Sequence, residues 1–121
     1  MSRFTTPLVG SWDDDMTTFT LRESFVYYVG ELNSDEKIEV PAGFETDFAS
    51  VPRYFQWLLP SVGRYGKAAV LHDYLYYTGI GTKAKADYIF YEAMGVLKVP
   101  KYIRNIMYYA VRKFGQGNFK K

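Results

Sequence analysis

The chain changes its hydropathy period once, and that change limits what it can fold into. Up to about residue 50 the apolar residues come in short aromatic and β-branched runs: Phe19-Thr20-Leu21-Arg22, Phe25-Val26-Tyr27-Tyr28-Val29 and the alternating Lys37-Ile38-Glu39-Val40, which stops at Pro41. Runs of this kind form strands. Asp13-Asp14-Asp15 and Asn33-Ser34-Asp35 interrupt them as turns, and Pro41-Ala42-Gly43 opens an irregular segment over residues 44–50. Beyond that the spacing is helical. Ser50 caps a short helix with Pro52 in its first turn, carrying Tyr54, Phe55, Trp57 and Leu58 and ending before Pro60. A second helix is predicted over 67–77 and ends at Gly79. Thr82 caps a third over 83–97, and Pro100 opens the last. There Ile103, Ile106, Met107, Ala110, Val111 and Phe114 recur at helical spacing before Gly115 closes it. Strands first and helices after argue α+β. We expect an N-terminal antiparallel β meander packed against a C-terminal layer of three to four helices. The 121 residues would form one domain, 1–50 mainly β and 51–121 mainly α.

Composition removes several classes. Apolar residues make up 48% and aromatic residues 19%, which excludes a disordered chain. With no cysteine, neither disulfides nor a thiolate zinc site can hold the fold. No apolar run approaches the roughly 20 residues of a membrane span. The segment Met1-Ser2-Arg3-Phe4-Thr5-Thr6-Pro7 lacks the apolar core of a signal peptide, so synthesis and folding in a cytoplasm are expected. The net charge of +2 hides an asymmetry: residues 1–47 carry ten acids and three bases, residues 48–121 twelve bases and three acids. A basic half can attract phosphates or anionic lipid. Alternatively the bases coat solvated helix faces, and Lys101, Arg104, Arg112 and Lys113 read as the polar face of the last helix.

Against that basic background the sole histidine stands out. His72 lies in Leu71-His72-Asp73-Tyr74-Leu75-Tyr76, and Asp87 follows in Ala86-Asp87-Tyr88-Ile89-Phe90. Gly79-Ile80-Gly81 is too short to do more than turn the chain, so the two helices form an antiparallel hairpin. Ala69, His72 and Tyr76 share one face of the first helix; Ala86, Asp87, Phe90 and Met94 share one side of the second. The hairpin can therefore place a His72 nitrogen about 2.6–3.2 Å from an Asp87 oxygen. A carboxylate on one imidazole nitrogen fixes the tautomer and leaves the other to act as a base. Asp73 points about 100° away around the helix and could ligate a hard cation together with backbone carbonyls or Asp47, whose loop would fold back toward it. The same residues also suit a satisfied structural network, His72 bonded to Asp87 with Tyr76 closing it.

Other features carry less. Gly79-Ile80-Gly81 and Gly63-Arg64-Tyr65-Gly66 lack the strand–loop–helix setting and the Lys-Thr of a phosphate loop. Ser50 reads as a cap. Tyr76, Tyr77, Tyr88, Tyr91, Tyr108 and Tyr109 could stack bases, but at helical spacing they read as packing and interface residues.

Most of the chain resembles a bacteriophage and prophage family catalogued as domain of unknown function 1353. The resemblance is carried by Met1-Ser2-Arg3-Phe4, by residues 40–53 from Val40-Pro41-Ala42-Gly43-Phe44 to Val51-Pro52-Arg53, by residues 63–73, by Ala86-Asp87-Tyr88-Ile89-Phe90 and by Ala110-Val111-Arg112-Lys113-Phe114-Gly115. It implies a phage origin and a role near tail, entry or lysis functions. More locally, His72-Asp73 with Tyr76 four residues on, then Asp87 on the returning helix, is similar to secreted phospholipase A2. That similarity implies His72 as base, Asp73 as calcium ligand, Tyr76 as supporting tyrosine and Asp87 as the acid that orients the base. The cysteine framework of that family is absent and its glycine-rich calcium loop is not recognisable, so Asp47 would replace part of that loop.

The leading expectation is a phage accessory protein with a His/Asp hydrolytic site, calcium-assisted, acting on a lipid or other ester in entry or lysis. One alternative is a non-catalytic virion or tail component, bound to other phage proteins and carried in the particle. Another is a binding module that uses the basic helical half on nucleic acid or a host protein.

Overall fold

A computed structural model describes residues 10–12, 18–30, 36–46, 66–79 and 81–115. The chain divides into two compact units, Met1–Asp47 and Phe48–Lys121. The first holds strands and the second helices, the α+β arrangement that the order of patterns predicts.

Among the described residues of the first unit the strands are β1 (Gly10–Trp12), β2 (Phe19–Leu21), β3 (Phe25–Tyr28), β4 (Lys37–Val40) and β5 (Glu45–Thr46). They are divided between two sheets instead of running as one meander. β1-β2-β5 form one and β3-β4 the other, all antiparallel. The β3-β4 hairpin is an excursion, after which β5 returns to β2 with Phe19 opposite Thr46 and Thr20 opposite Glu45. Side chains alternate as the pleat requires: Phe19, Leu21, Phe25 and Tyr27 are buried and their strand neighbours less so. Residues 45–46, read from sequence as irregular, are a strand because their backbone finds β2. Gly43 has φ +91 in the Pro41–Phe44 turn, and its N–H reaches the Leu21 carbonyl at 2.7 Å. An L side chain resists that φ, which is why glycine stands there.

The second unit contains, among the described residues, α1 (Gly66–Thr78), α2 (Lys83–Val96) and α3 (Lys101–Phe114). α2 packs against both α1 and α3. The Gly79 N–H bonds the Leu75 carbonyl at 3.0 Å, and Gly79 and Gly81 take φ +68 and +75. Two left-handed glycines this close reverse the chain and give the expected hairpin. Thr82 caps α2, its hydroxyl accepting from the Lys85 N–H at 3.1 Å. At the other end Lys98 N–H reaches the Gly95 carbonyl and Val99 N–H the Met94 carbonyl, both at 3.0 Å, with Lys98 at φ +65. This is a Schellman close with a lysine where glycine is usual.

α3 buries Met107, Ala110 and Val111. Its expected apolar stripe is narrower than the sequence suggests, because Ile106 and Phe114 are exposed. Tyr77, Tyr88 and Tyr109, read from sequence as packing residues, are exposed as well. Among the described residues no helix is long and apolar enough to cross a membrane. The short helix expected around Ser50 and Pro52 lies outside the described residues, and so does Asp47.

Candidate functional site

His72 is the fifth of six consecutive buried positions of α1, Ala68 to Asp73, and Leu75 and Tyr76 are buried beyond Tyr74, so the ring is surrounded by helix neighbours as well as by α2. Its Nε2 lies 2.8 Å from Asp87 Oδ1, and both side chains are 0% exposed. One turn further along α1, Tyr76 donates its hydroxyl to the same Oδ1 at 2.5 Å. The imidazole contacts two rings, Phe90 stacked at 4.5 Å and Tyr76 tilted at 4.2 Å between centroids. The hairpin thus brings together His72, Asp87 and Tyr76, three of the five residues singled out from sequence.

The second oxygen of Asp87 is equally engaged. Lys83 Nζ donates to Oδ2 at 3.0 Å and the Arg112 guanidinium at 3.1 Å. Lys83 also reaches the carbonyls of Val111 at 2.7 Å and Arg112 at 3.1 Å, so it closes the C-terminus of α3. Sequence reasoning missed both cations. Lys83 had a local signal, its i,i+4 spacing to Asp87. Arg112 had none, since it is 25 residues away and reads as part of a solvated face; that reading is corrected here by its bond to Asp87.

The four donors set the protonation states. Burial pushes the Asp87 carboxyl up, but the bonds from His72, Tyr76 and Lys83 outweigh it and hold the pKa at about 2. Burial lowers the pKa of His72, more than its bond to Asp87 and the charge of Asp87 raise it; Lys83 lowers it further. Burial, then the bond to Asp87, raises the Tyr76 phenol and keeps it protonated. An ionised Asp87 only accepts, so the neutral imidazole carries its proton on Nε2 and its lone pair on Nδ1.

Asp73 is buried, 8% exposed, one residue from His72 on α1. Among the described residues no group of three or more His, Cys, Asp or Glu could hold a metal ion. Asp73 is one of the two cation ligands expected from sequence, and the other, Asp47, falls outside the described residues.

The fold and cluster define an α+β protein with a buried His–Asp pair on a helix hairpin. The chain belongs to the family described as protein of unknown function (DUF1353), which it matches over residues 19–111. It is also similar to the uncharacterized protein y4jT of Sinorhizobium fredii (strain NBRC 101917 / NGR234), 37% identical over 95 residues. That match covers 70% of this chain and 28% of the relative, so the chain spans little more than a quarter of the relative's length. No solved structure matches.

Proposed function

We propose that the helix hairpin carries a hydrolytic site for a lipid or other ester, with His72 as general base. The observation that supports this most is the pairing of His72 Nε2 with Asp87 Oδ1 at 2.8 Å, because it puts the lone pair of a neutral imidazole on Nδ1. In this reading a water gives its proton to Nδ1 as it attacks the ester carbonyl. Asp87, held by Tyr76, stabilises the imidazolium that forms, and His72 then returns the proton to the leaving alkoxide. Asp73, next to His72 on α1, would be a ligand for a calcium ion, which would supply Lewis-acid stabilisation of an oxyanion. The biological setting in the proposal is a phage accessory protein acting in entry or lysis, made in the host cytoplasm. It rests on the resemblance noted above, and mass spectrometry of purified particles tests whether the protein is packaged.

A second reading has its own support. His72 and Asp87 are both 0% exposed, and each carboxylate oxygen takes two donors, as in a satisfied network that holds a hairpin together. The deciding experiment measures hydrolysis of diacyl glycerophospholipid and p-nitrophenyl esters, with calcium or chelator, alongside thermal stability. The catalytic reading expects turnover by the wild type and its loss in His72→Gln beyond any loss of folded protein. No turnover in any condition, or loss that tracks the unfolded fraction, leaves the structural network.

A further inference from the structure

Lys83 stands where helix electrostatics disfavour it. It is the first residue of α2, at the positive end of the helix dipole, and it precedes its acid at i,i+4, the weaker order for such a pair. Tertiary contacts account for its position. Its ammonium sits among three acceptors, Asp87 Oδ2 and the carbonyls of Val111 and Arg112. Those carbonyls are in the last turn of α3, where a cation is favoured. Arg112 arrives at the same Oδ2 from that last turn. Both cations meet one oxygen, and both ring donors, His72 and Tyr76, meet the other.

We propose that Lys83 and Arg112 are positioning residues that act through Asp87 to fix the His72 tautomer with its proton on Nε2. A buried carboxylate has two ways to lose that control. It can rotate until neither oxygen accepts from Nε2, or it can take a proton and donate to Nε2, which moves the imidazole proton to Nδ1. Two cations on Oδ2 oppose both. They hold the plane of the carboxylate, and they stabilise its charge where water does not reach it. The proposal rests on the reading of His72 as the base for its catalytic consequence, whereas the tautomer can be observed whether or not an ester is cleaved.

The chain has one histidine, so the imidazole nitrogens give a single set of signals in a long-range ¹⁵N–¹H correlation spectrum of the full-length labelled protein. At a fixed pH of about 7.5, well above the ordinary His value, the wild type is expected to show one tautomer, protonated at Nε2. In Lys83→Met/Arg112→Met the two nitrogen shifts should move toward each other as the Nδ1–H form becomes populated. Arg112→Lys, which keeps a cation, should retain the wild-type pattern. If the double variant does not fold, Lys83→Gln and Arg112→Gln each keep a donor without the charge, and at least one must show the shift. A wild type already mixed, or charge-removing variants that stay folded with wild-type shifts, overturns the proposal. Where hydrolysis is measurable, the same variants should lower kcat with little change in KM. Absence of hydrolysis with the tautomer shift intact would count against the catalytic reading alone.

Discussion

Asp87→Asn is the most informative single substitution because four donors converge on that carboxylate. The amide is nearly isosteric but offers one acceptor and one donor group in place of two acceptors. With its oxygen toward His72 and Tyr76, its NH2 faces Lys83 and Arg112, donor against donor. The opposite flip leaves the oxygen on the cations and points the NH2 at His72 Nε2. His72 can accept only by moving its proton to Nδ1, and Tyr76 must turn its hydroxyl toward the Val111 carbonyl, 3.5 Å away. The second arrangement satisfies the groups, so the chain should still fold but with the wrong tautomer. The loss of stability follows from the carboxyl's own value. Its fall from 3.8 to about 2 corresponds to about 2 kcal/mol at neutral pH. The side chains of Lys83 and Arg112 are 27% and 40% exposed, so the loss should stay below the roughly 3–5 kcal/mol of a fully buried broken pair. For a domain of this size about 2 kcal/mol lowers Tm by roughly 6–10 °C. Circular dichroism melting at pH 7 measures that, and ester hydrolysis should fall on the order of 10⁴-fold, the scale of a tautomer error in a catalytic triad. A Tm within about 1 °C of wild type, well inside the shift expected from that scaling, would show that Asp87 is not the hub of the cluster.

Acidification should destabilise the fold in two stages. The His72 value is below 6.5 when folded, so the unfolded chain takes up the proton first and stability declines as pH falls below about 6.5. Asp87 adds a second loss between its ordinary 3.8 and about 2. Melting temperatures across pH 8 to about 2 test this, and the loss between about pH 7 and 5 should disappear in His72→Gln. Lys98→Gly should raise stability by up to about 1 kcal/mol, because the residue closes α2 at φ +65, where a side chain is strained; urea melts would read it, and a lower midpoint would refute it. Gly115→Ala should instead destabilise by roughly 1–3 kcal/mol, since its Cβ would stand 2.5 Å from the Tyr76 hydroxyl and 2.6 Å from the Val111 carbonyl. Its φ of −66 is ordinary, so without that clash the substitution would stabilise, and the sign of the change decides.

The sequence by itself determined the local elements of this protein. Period-2 runs made the strands at 19–21, 25–28 and 37–40, and helical spacing with Thr82, Pro100 and the glycines around residue 80 marked the three described helices to within about two residues at each end. It also brought His72, Tyr76 and Asp87 into one candidate cluster, because all three sit on two adjacent helices joined by a turn too short for any other arrangement. The tertiary structure alone decided the rest. β5 exists because its backbone pairs with β2 across a hairpin excursion, and two residues carry no pattern of their own. Ile106 and Phe114 have the spacing of core residues, yet lie exposed, since a helix repeat says which residues share a face but not how wide the neighbouring helix is. Arg112 looked like any solvated arginine until the last turn of α3 was seen beside the first of α2. Charge partners 25 residues apart leave no local trace, because the sequence records spacing along the chain and the carboxylate responds to distance through space.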